Sequence, residues 1–519
     1  MKNIKLCYAL AAVVIIATIA FVIADKYSCT FEYRHNENGG ITITEYTGNN
    51  KSVTIPDTLD GSPVTEIGDY AFLNSQITDV VIPDTVKIIG GGAFSRCEQL
   101  SVIDIPKSVE RIGAMPFWAT PFEKTLGEDE LIIINDSILY KYNGESDIVT
   151  IPEGITCIGG YGFYKNNLTE VIIPDSVRYI ESQAFAECKS LKSVTVSSAE
   201  YIGDVAFLGC TSLETADINA REIDSSAFSG CTSLCDISLK GTCTMGSSVF
   251  YKCVSLKKIT LPDSLVSMGN AVFKESGLVE TDIPKGITEI NTDTFKDCTS
   301  LSRVGLHSGI TAIRESSFSG CVSLTEITLP EGLTFIGETA FYNCGLTSIT
   351  IPDSVTEVGF NAFMKCTSLS KVRLSKGMTV IPHSCFDGCA ALSELIIPDS
   401  VTEIRINAFQ NTPRLKIVDL PDGLKILELN CFYNSGIWAV FIPDSVEQFN
   451  RQAFLGSGCT LMYTENCKAY QQVCDASQHY LNADYTLKQV SSRAEADAYI
   501  KEISEYIKGI SEMDSNNKI

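Results

Sequence analysis

Cysteine and histidine carry the most distinctive chemistry in this chain, and their spacing limits what they can do. The 519 residues include 20 cysteines and four histidines. Ten cysteines recur at one fixed place of a sequence repeat, where other copies have Ser, Thr or Asn. A disulfide site would not alternate with serine, so we predict buried thiols that hydrogen-bond a nearby turn. The ten are Cys97, Cys188, Cys210, Cys231, Cys253, Cys298, Cys321, Cys344, Cys366 and Cys389.

The remaining cysteines leave one place where a disulfide is plausible. Cys459, Cys467 and Cys474 lie close together near the end of the chain, outside the repeat. An exported chain that is rich in cysteine can hold a disulfide framework. We therefore predict that these three are the best disulfide candidates, without assigning a pair or a redox state.

Metal and catalytic chemistry find little support in the sequence. No C-x-x-C motif occurs, and His35, His307, His383 and His479 are dispersed, so no zinc site is predicted. His383 and Cys385 are too close along the chain to face each other as base and nucleophile, and Cys385 occupies a small packing position of the repeat. We predict no cofactor, no metal and no enzymatic activity.

Two further patterns have a structural explanation. Aspartates follow several prolines, as at Asp353 and Asp399, where they suit a turn. The alternative to this turn-forming role is that the aspartates line up in a row and bind divalent cations weakly. The glycines of Ile89-Gly-Gly-Gly92 lie in a turn of the repeat and do not open a helix after a strand, so they do not form a phosphate-binding loop.

The elements that position these residues come from one repeated unit. Seventeen copies align on a phenylalanine, at intervals of 21 to 23 residues with one interval of 46. A fixed period of this size indicates a solenoid, in which each coil buries its apolar face against its neighbours. The anchors are Phe72, Phe94, Phe117, Phe163, Phe185, Phe207, Phe228, Phe250, Phe273, Phe295, Phe318, Phe341, Phe363, Phe386, Phe409, Phe432 and Phe454.

Each copy also predicts one strand and the direction of its side chains. A large apolar residue stands five places before every anchor, such as Ile336 before Phe341. A segment such as Leu324–Leu329 then alternates apolar and polar residues and stops at Pro330, which cannot donate to a ladder. Stacked in register, these strands would make a long parallel sheet whose outer face shows two residues of each coil.

The pattern L-x-x-[IL]-x-[IL]-P-x-x-L-x-x-I-G-x-x-A-F-x-x-C resembles the leucine-rich repeats of the BspA-like family, over about residues 41 to 485. The resemblance implies a β-dominated, right-handed leucine-rich repeat solenoid with one long parallel concave sheet. It also implies short turns or 3-10 segments on the convex side, terminal caps and no catalysis. Members of the family are exported or displayed at the cell surface, and some are adhesins. Export, surface display and adhesion are therefore expectations for this chain.

Composition and the exposed strand positions together suggest what such a sheet would bind. A formal charge of -23 argues against nucleic acid. A rigid face with variable side chains suits a protein or glycan partner. The predicted contacts are the few basic residues of this face together with acidic and apolar residues around them. They are Lys258, Glu280, Asp282, Arg303, Glu326, Lys371, Arg373, Glu394, Ile396, Ile417 and Phe441.

The ends of the chain differ from its repeats. Lys2 and Lys5 precede an almost wholly apolar run, Leu6 to Ile23, which suits either a signal peptide cleaved before Asp25 or a retained membrane anchor. Near the other end, Ile500, Ile503, Ile507 and Ile510 fall on one helical face. That helix could lie on the solenoid, or it could serve in docking or oligomerisation.

These features divide the chain into seven predicted segments. They are a signal peptide or anchor (1–24), an N-terminal β cap (25–64), repeats (65–124), a β-hairpin insert (125–147), further repeats (148–456), a C-terminal cap (457–487) and a helical tail (488–519).

The sequence leaves three functional hypotheses. The first is an extracellular or cell-surface, adhesin-like binding protein, with the membrane involved only through residues 6–23 if they are retained. The second is a structural, envelope-organising protein tethered by its uncleaved N-terminal helix. The third and most remote is an enzyme.

Overall fold

The computed structural model describes residues 30–470, 472–473 and 486–516, with side chains up to residue 505 of the last range. The described chain divides between Thr242 and Cys243 into two compact units, each of them a coiled β-solenoid of mostly parallel strands. The predicted leucine-rich repeat fold is confirmed. The predicted signal segment, 1–24, lies outside the described residues. Within them, no helix combines the length and the apolar character needed to cross a bilayer.

Two rows of parallel strands run through each unit. The first row, here called the front ladder, contains the predicted strands. In the first unit its strands are Ser52–Thr54, Asp79–Val81, Val102–Asp104, Ile148–Thr150, Glu170–Ile172 and Asp236–Lys240. In the second unit they are Glu280–Asp282, Arg303–Gly305, Ser348–Thr350, Lys371–Arg373, Glu394–Ile396, Ala439–Phe441, Thr460–Tyr463 and Thr486–Gln489.

The second row, the side ladder, was not predicted. Its strands end on the apolar residue five places before each anchor, so that residue points into the core while its predecessor points outward. In the first unit they are Ser62–Ile67, Ile88–Ile89, Arg111–Ile112, Cys157–Ile158 and Tyr179–Ile180. In the second they are Thr244–Met245, Ser267–Met268, Glu289–Ile290, Ala312–Ile313, Phe335–Ile336, Glu357–Val358, Val380–Ile381, Glu403–Ile404, Ile426–Leu427 and Gln448–Phe449.

The other elements join or close these ladders. Ser193–Ile202 and Thr215–Ile223 are long enough to run through both ladders. Phe31–His35 pairs antiparallel with Ile41–Tyr46, and Thr58–Leu59 pairs with Ser62–Ile67, at the N-terminal end of the first unit. A 3-10 helix covers Phe122–Leu126. One α-helix, α1, spans Arg493–Asn516.

The core of each unit is a file of phenylalanine rings. Phe163, Phe185 and Phe207 lie with ring centroids 4.8 and 5.1 Å apart and nearly parallel. In the second unit, centroids from Phe250 to Phe454 are 5.0 to 5.6 Å apart. Each stacked pair contributes about 0.5–1.5 kcal/mol beyond its buried area. The anchors therefore hold neighbouring coils in phase.

The insert predicted at 125–147 contains two antiparallel strands, Leu131–Ile134 and Ile138–Tyr142. The second strand also pairs in parallel with Cys157–Ile158, so it enters the side ladder. Its Tyr142 ring lies 5.2 Å from Phe163 and takes the place of an anchor. The 46-residue interval therefore holds one remodelled coil that includes the hairpin.

Candidate functional site

The predicted contact residues all belong to the second unit, and they lie along the outer surface of its front ladder, here called the front face. The strand Ser348–Thr350 shows the predicted alternation, with both ends exposed and Ile349 buried. Lys258, Glu326 and Ile417 occupy equivalent positions in extended segments that form no regular strand. Lys258 is joined to Glu280 by a single parallel bridge.

Every basic residue predicted on the front face has a carboxylate partner on a neighbouring coil. Lys258 pairs with Glu280 at 2.7 Å, and Arg303 pairs with Asp282 at 2.6 Å. Farther along, Lys371 pairs with Glu394 at 2.8 Å. Exposed pairs of this kind are worth about 0.2–1 kcal/mol each. A partner could therefore exchange one of these contacts for its own at little cost.

Arg373 is held by a carboxylate that sequence reasoning did not place at the site. It donates to both carboxylate oxygens of Asp353, at 3.0 and 3.2 Å. The backbone N–H of Lys376 also donates to Asp353, and together with the charges of Arg373 and Lys376 it lowers the pKa of this carboxyl. Asp353 follows a strand proline, where we predicted only a turn-forming role.

Five of the predicted residues form one continuous patch. Parallel pairing sets Lys371 beside Glu394 and Arg373 beside Ile396. Ile396 is 59% exposed. Ile417 follows on the next coil and is 40% exposed. These five residues, Lys371, Arg373, Glu394, Ile396 and Ile417, are the front patch.

A cavity of about 380 Å³ opens at the edge of the front patch. Arg373 and Ile396 line it together with Leu374, Lys376 and Pro398. An apolar floor with charged groups at its margin is the usual composition of a pocket that accepts a side chain.

The repeats that build this face can be placed in a known family. The model of the BspA type leucine rich repeat region matches residues 65–169, 156–276, 221–346 and 334–461. Together these ranges cover more than half of the chain. The chain belongs to the BspA-type leucine-rich repeat family.

Several solved structures are similar to this BspA-type chain. A leucine-rich repeat protein from Bacteroides ovatus is 24% identical over 89% of this chain and 98% of its own, with a TM-score of 0.44. A leucine-rich cell surface protein from Faecalibacterium prausnitzii is 22% identical over 90% and 95%, with a TM-score of 0.26. The pneumococcal vaccine antigen PcpA is 16% identical over 89% and 97%, with a TM-score of 0.29. A search of curated proteins gave no match.

The prediction for Phe441 needs correction, because its side chain is not available to a partner. Phe441 points outward from its strand as expected, but it is only 7% exposed. It packs in a small apolar cluster with Ala439, Met462 and Ala496 of helix α1. The helix therefore covers the end of the front face of this BspA-type unit.

Arg493 fixes the start of helix α1 on the front face. Its guanidinium donates to the carboxylates of Asp419 and Asp422, and to the carbonyl of Leu420 at 3.1 Å. The same group lies 5.6 Å from the centre of the Phe441 ring. Ile500 and Ile503 pack against the apolar cluster, whereas the side chains of Ile507 and Ile510 lie outside the described residues.

The thiols of the family repeat sit where the sequence predicts them. Cys97, Cys298 and Cys366 donate to the carbonyls of Phe72, Phe273 and Phe341, at 2.9, 2.9 and 3.0 Å. Among the disulfide candidates, Cys459 is a buried free thiol and Cys474 lies outside the described residues. Cys467 is buried beside the carbonyl of Pro443, 3.9 Å from its sulfur.

Cys385 and His383 lie in different surroundings in the described part of the chain. Cys385 is fully buried, and burial raises the pKa of its thiol, which disfavours the reactive thiolate. His383 instead packs against the ring of Phe360, 5.1 Å between centroids. Within the described ranges, no group of three His, Cys, Asp or Glu side chains could hold a metal ion.

Proposed function

We propose that this chain is an exported, non-catalytic repeat protein that binds a protein partner at the cell surface through its front patch, as adhesins do. Proteins of this family are typically non-catalytic, and leucine-rich repeat proteins commonly bind proteins. The similar solved protein from Faecalibacterium prausnitzii is described as a leucine-rich cell surface protein. A glycan partner is the alternative ligand for the same face.

The observation that carries this proposal is the exposure of Ile396 between paired charges. An apolar anchor with a neighbouring cavity, ringed by residues that can exchange ion pairs, matches the composition of protein-binding hot spots. Lys371 and Arg373 lie on one strand and are 60% and 37% exposed in their side chains. They can steer an acidic partner toward the anchor.

A two-step experiment tests the proposal. The biotinylated chain, starting at residue 25, is used to capture proteins from extracts of candidate surfaces, and the captured protein is then purified. Its Kd is measured for the wild-type chain and for Lys371→Glu/Arg373→Glu. The proposal expects at least about tenfold weaker binding of the double variant, since charged hydrogen bonds contribute about 1.5–3 kcal/mol each.

A matched control is Lys87→Glu/Lys468→Glu, which reverses two charges that are likewise ion-paired but lie outside the patch. Equal Kd values for the wild type and the Lys371/Arg373 variant would show that the partner does not depend on these two residues of the front patch. Equal loss in both double variants would show that net charge alone controls the association.

The structural, tethered role stays the second candidate function. It requires that the apolar run before residue 25 remain attached to the mature protein. Mass spectrometry of the native N-terminus distinguishes the two: a mature start at Asp25 excludes the tether.

A further inference from the structure

A second ligand-sized cleft lies in the first unit, on the outer surface of the side ladder. Its volume is about 500 Å³, within the range of small-ligand pockets. It forms where the insert interrupts the regular repeat, between the coils of Phe72 to Phe117 and those of Phe185 to Phe228. Nothing in the sequence analysis pointed to it.

The floor of the cleft is made of close-packed backbone. A Cβ on Gly90 would lie 2.6 Å from the backbone nitrogen of Asp69, and one on Gly113 would lie 2.6 Å from that of Gly91. Side chains are therefore excluded at these positions.

A buried ion pair spans the middle of the cleft. Arg111 passes over the small side chain of Cys157 and donates to both oxygens of Glu181, at 2.5 and 3.3 Å. Its guanidinium also lies 4.5 Å from the ring centre of Tyr201 and 5.0 Å from that of Tyr179. Two aromatic rings and one carboxylate together form a cation-binding site, and the guanidinium of Arg111 occupies it.

Further carboxylates and one more aromatic ring line the space beside this cation-binding site. Glu66, Asp69 and the ring of Tyr70, which is 62% exposed, form one wall. Asp204 and Asp224 lie in the opposite wall, and Asp224 accepts a hydrogen bond from Tyr201 at 2.8 Å. Among the described residues that line the cleft, Arg111 is the one cation, and Glu181 already neutralises it.

The described lining of the cleft contains five carboxylates and one cation, so its net charge is negative. Backbone N–H groups donate to two of these carboxylates, that of Gly91 to Asp69 and that of Ser225 to Asp224, both at 2.6 Å.

Burial raises the pKa of Asp204, and the nearby charge of Asp224 raises it further. Burial also raises the pKa of Glu181, against the opposing effect of Arg111, and Asp69 adds to the rise. A cationic ligand would relieve the repulsion on both walls.

The spread of these groups excludes a compact ion. No described set of three carboxylates, thiols or imidazoles converges on one point, as a metal ion would need. An organic cation several ångströms long, with donors that can reach separate acceptors, fits the two walls. A guanidinium group offers five such donors and a flat face for Tyr70.

We propose that this cleft binds an arginine side chain of a peptide or protein partner, placed beside Arg111 and between the carboxylates of Asp69 and Asp204. This site is separate from the front patch and does not depend on the function proposed above. The guanidinium of the partner makes the same kinds of contact, to carboxylates and an aromatic ring, that Arg111 makes within the chain.

Calorimetry with the chain starting at residue 25 tests the inference. The probe is a tri-arginine peptide with blocked ends, and tri-citrulline, which has the same shape without the charge, is the control ligand. We expect tri-arginine to bind and tri-citrulline not to bind. Asp69→Asn/Asp204→Asn, which removes one charge from each wall, should weaken tri-arginine binding about tenfold or more.

The matched variant is Glu214→Gln/Asp236→Asn, which removes two exposed carboxylates of the same unit outside the cleft. It should bind tri-arginine as the wild type does, and circular dichroism should show both variants folded. Absence of tri-arginine binding would overturn the inference. So would equal binding of both peptides, or equal weakening in the two double variants. If Asp69→Asn/Asp204→Asn is misfolded, the single variant Asp204→Asn replaces it and should likewise weaken tri-arginine binding.

Discussion

The thiol of Cys366 donates a hydrogen bond to the main-chain carbonyl of Phe341, 3.0 Å away and one coil earlier. Cys188 and Cys321 do the same in the two units, so each gives a buried carbonyl of the preceding coil a second donor besides a main-chain N–H. Thr412, at the same repeat position, instead donates to the carbonyl of Phe409 in its own coil, at 2.8 Å.

Replacing Cys366 with alanine should therefore destabilise the second unit. The carbonyl of Phe341 would keep the backbone N–H of Cys344 as a donor but lose the thiol, at a cost of about 0.5–1.5 kcal/mol in the free energy of unfolding. Urea unfolding followed by circular dichroism measures this. Cys366→Ser, which keeps a donor, should lose less, and Cys235→Ala at an exposed site should change almost nothing. Equal effects in all three would contradict the role of the thiol.

Alkaline pH should weaken the fold through these same thiols. Burial raises the pKa of Cys97 to about 11, and those of Cys298 and Cys366 to about 12. An unfolded thiol titrates near about 8.5. Above that pH the unfolded chain loses protons that the folded chain retains, so stability is complete below about pH 8 and falls as the pH rises through 9 to 12. Unfolding curves between pH 7 and 10.5 test this, with Cys366→Ser expected to show a shallower decline.

The turn before most anchors holds one residue at positive φ, which costs conformational free energy. One substitution should reduce that cost. Val205 stands two residues before Phe207 and has φ of 51°, in the left-handed region that branched residues disfavour. Asn361 holds the same place before Phe363 with φ of 58°. Val205→Asn should raise the melting temperature, with a gain of about 1 kcal/mol. The reverse change, Asn361→Val, should lower stability by a similar amount; a gain there would refute the argument.

Helix α1 should loosen from the front face when Arg493 is removed. Arg493→Ala loses the contacts to Asp419, Asp422 and Leu420, worth about 1 kcal/mol for a partly exposed charged cluster. Hydrogen exchange should then increase in residues 493–505 and in Ala439–Phe441, while exchange in Ser348–Thr350 stays unchanged. A uniform increase throughout the unit would point instead to global destabilisation.

Much of the fold could be predicted because the core residues recur at fixed positions of the repeat. The phenylalanine file and the buried column ending on residues such as Ile336 follow from a period that no copy breaks. The side ladder escaped prediction because its strands are only two residues long, as in Phe335–Ile336. Two residues cannot show an alternating pattern.

The left-handed turns were missed for a different reason. Residues as different as Tyr70, Val205 and Asn361 occupy the same turn position, so that no single residue type marks it. A signal was present two residues after the anchor, where Asn343 and Asn411 recur with Gly320 and Gly388. These are the residues that tolerate positive φ.

The candidate site was only partly visible in the sequence. Alternation placed Lys371 and Arg373 on one face, and the constant period would have shown Glu394 beside Lys371. The burial of Phe441 depends on a helix that begins more than fifty residues later, and the Arg111–Glu181 pair joins residues seventy positions apart. Contacts of that range leave no local pattern.

The most direct test of the account is the affinity of a purified partner for the chain with and without its exposed apolar anchor. Ile396→Asp places a charge at the centre of the front patch, and Val266→Asp makes the same kind of change at a residue that is 61% exposed outside it. Surface plasmon resonance should show binding to Ile396→Asp weakened at least about tenfold, because hot-spot residues contribute about 2 kcal/mol or more, with Val266→Asp unchanged. Equal affinities of wild type and Ile396→Asp would contradict the account.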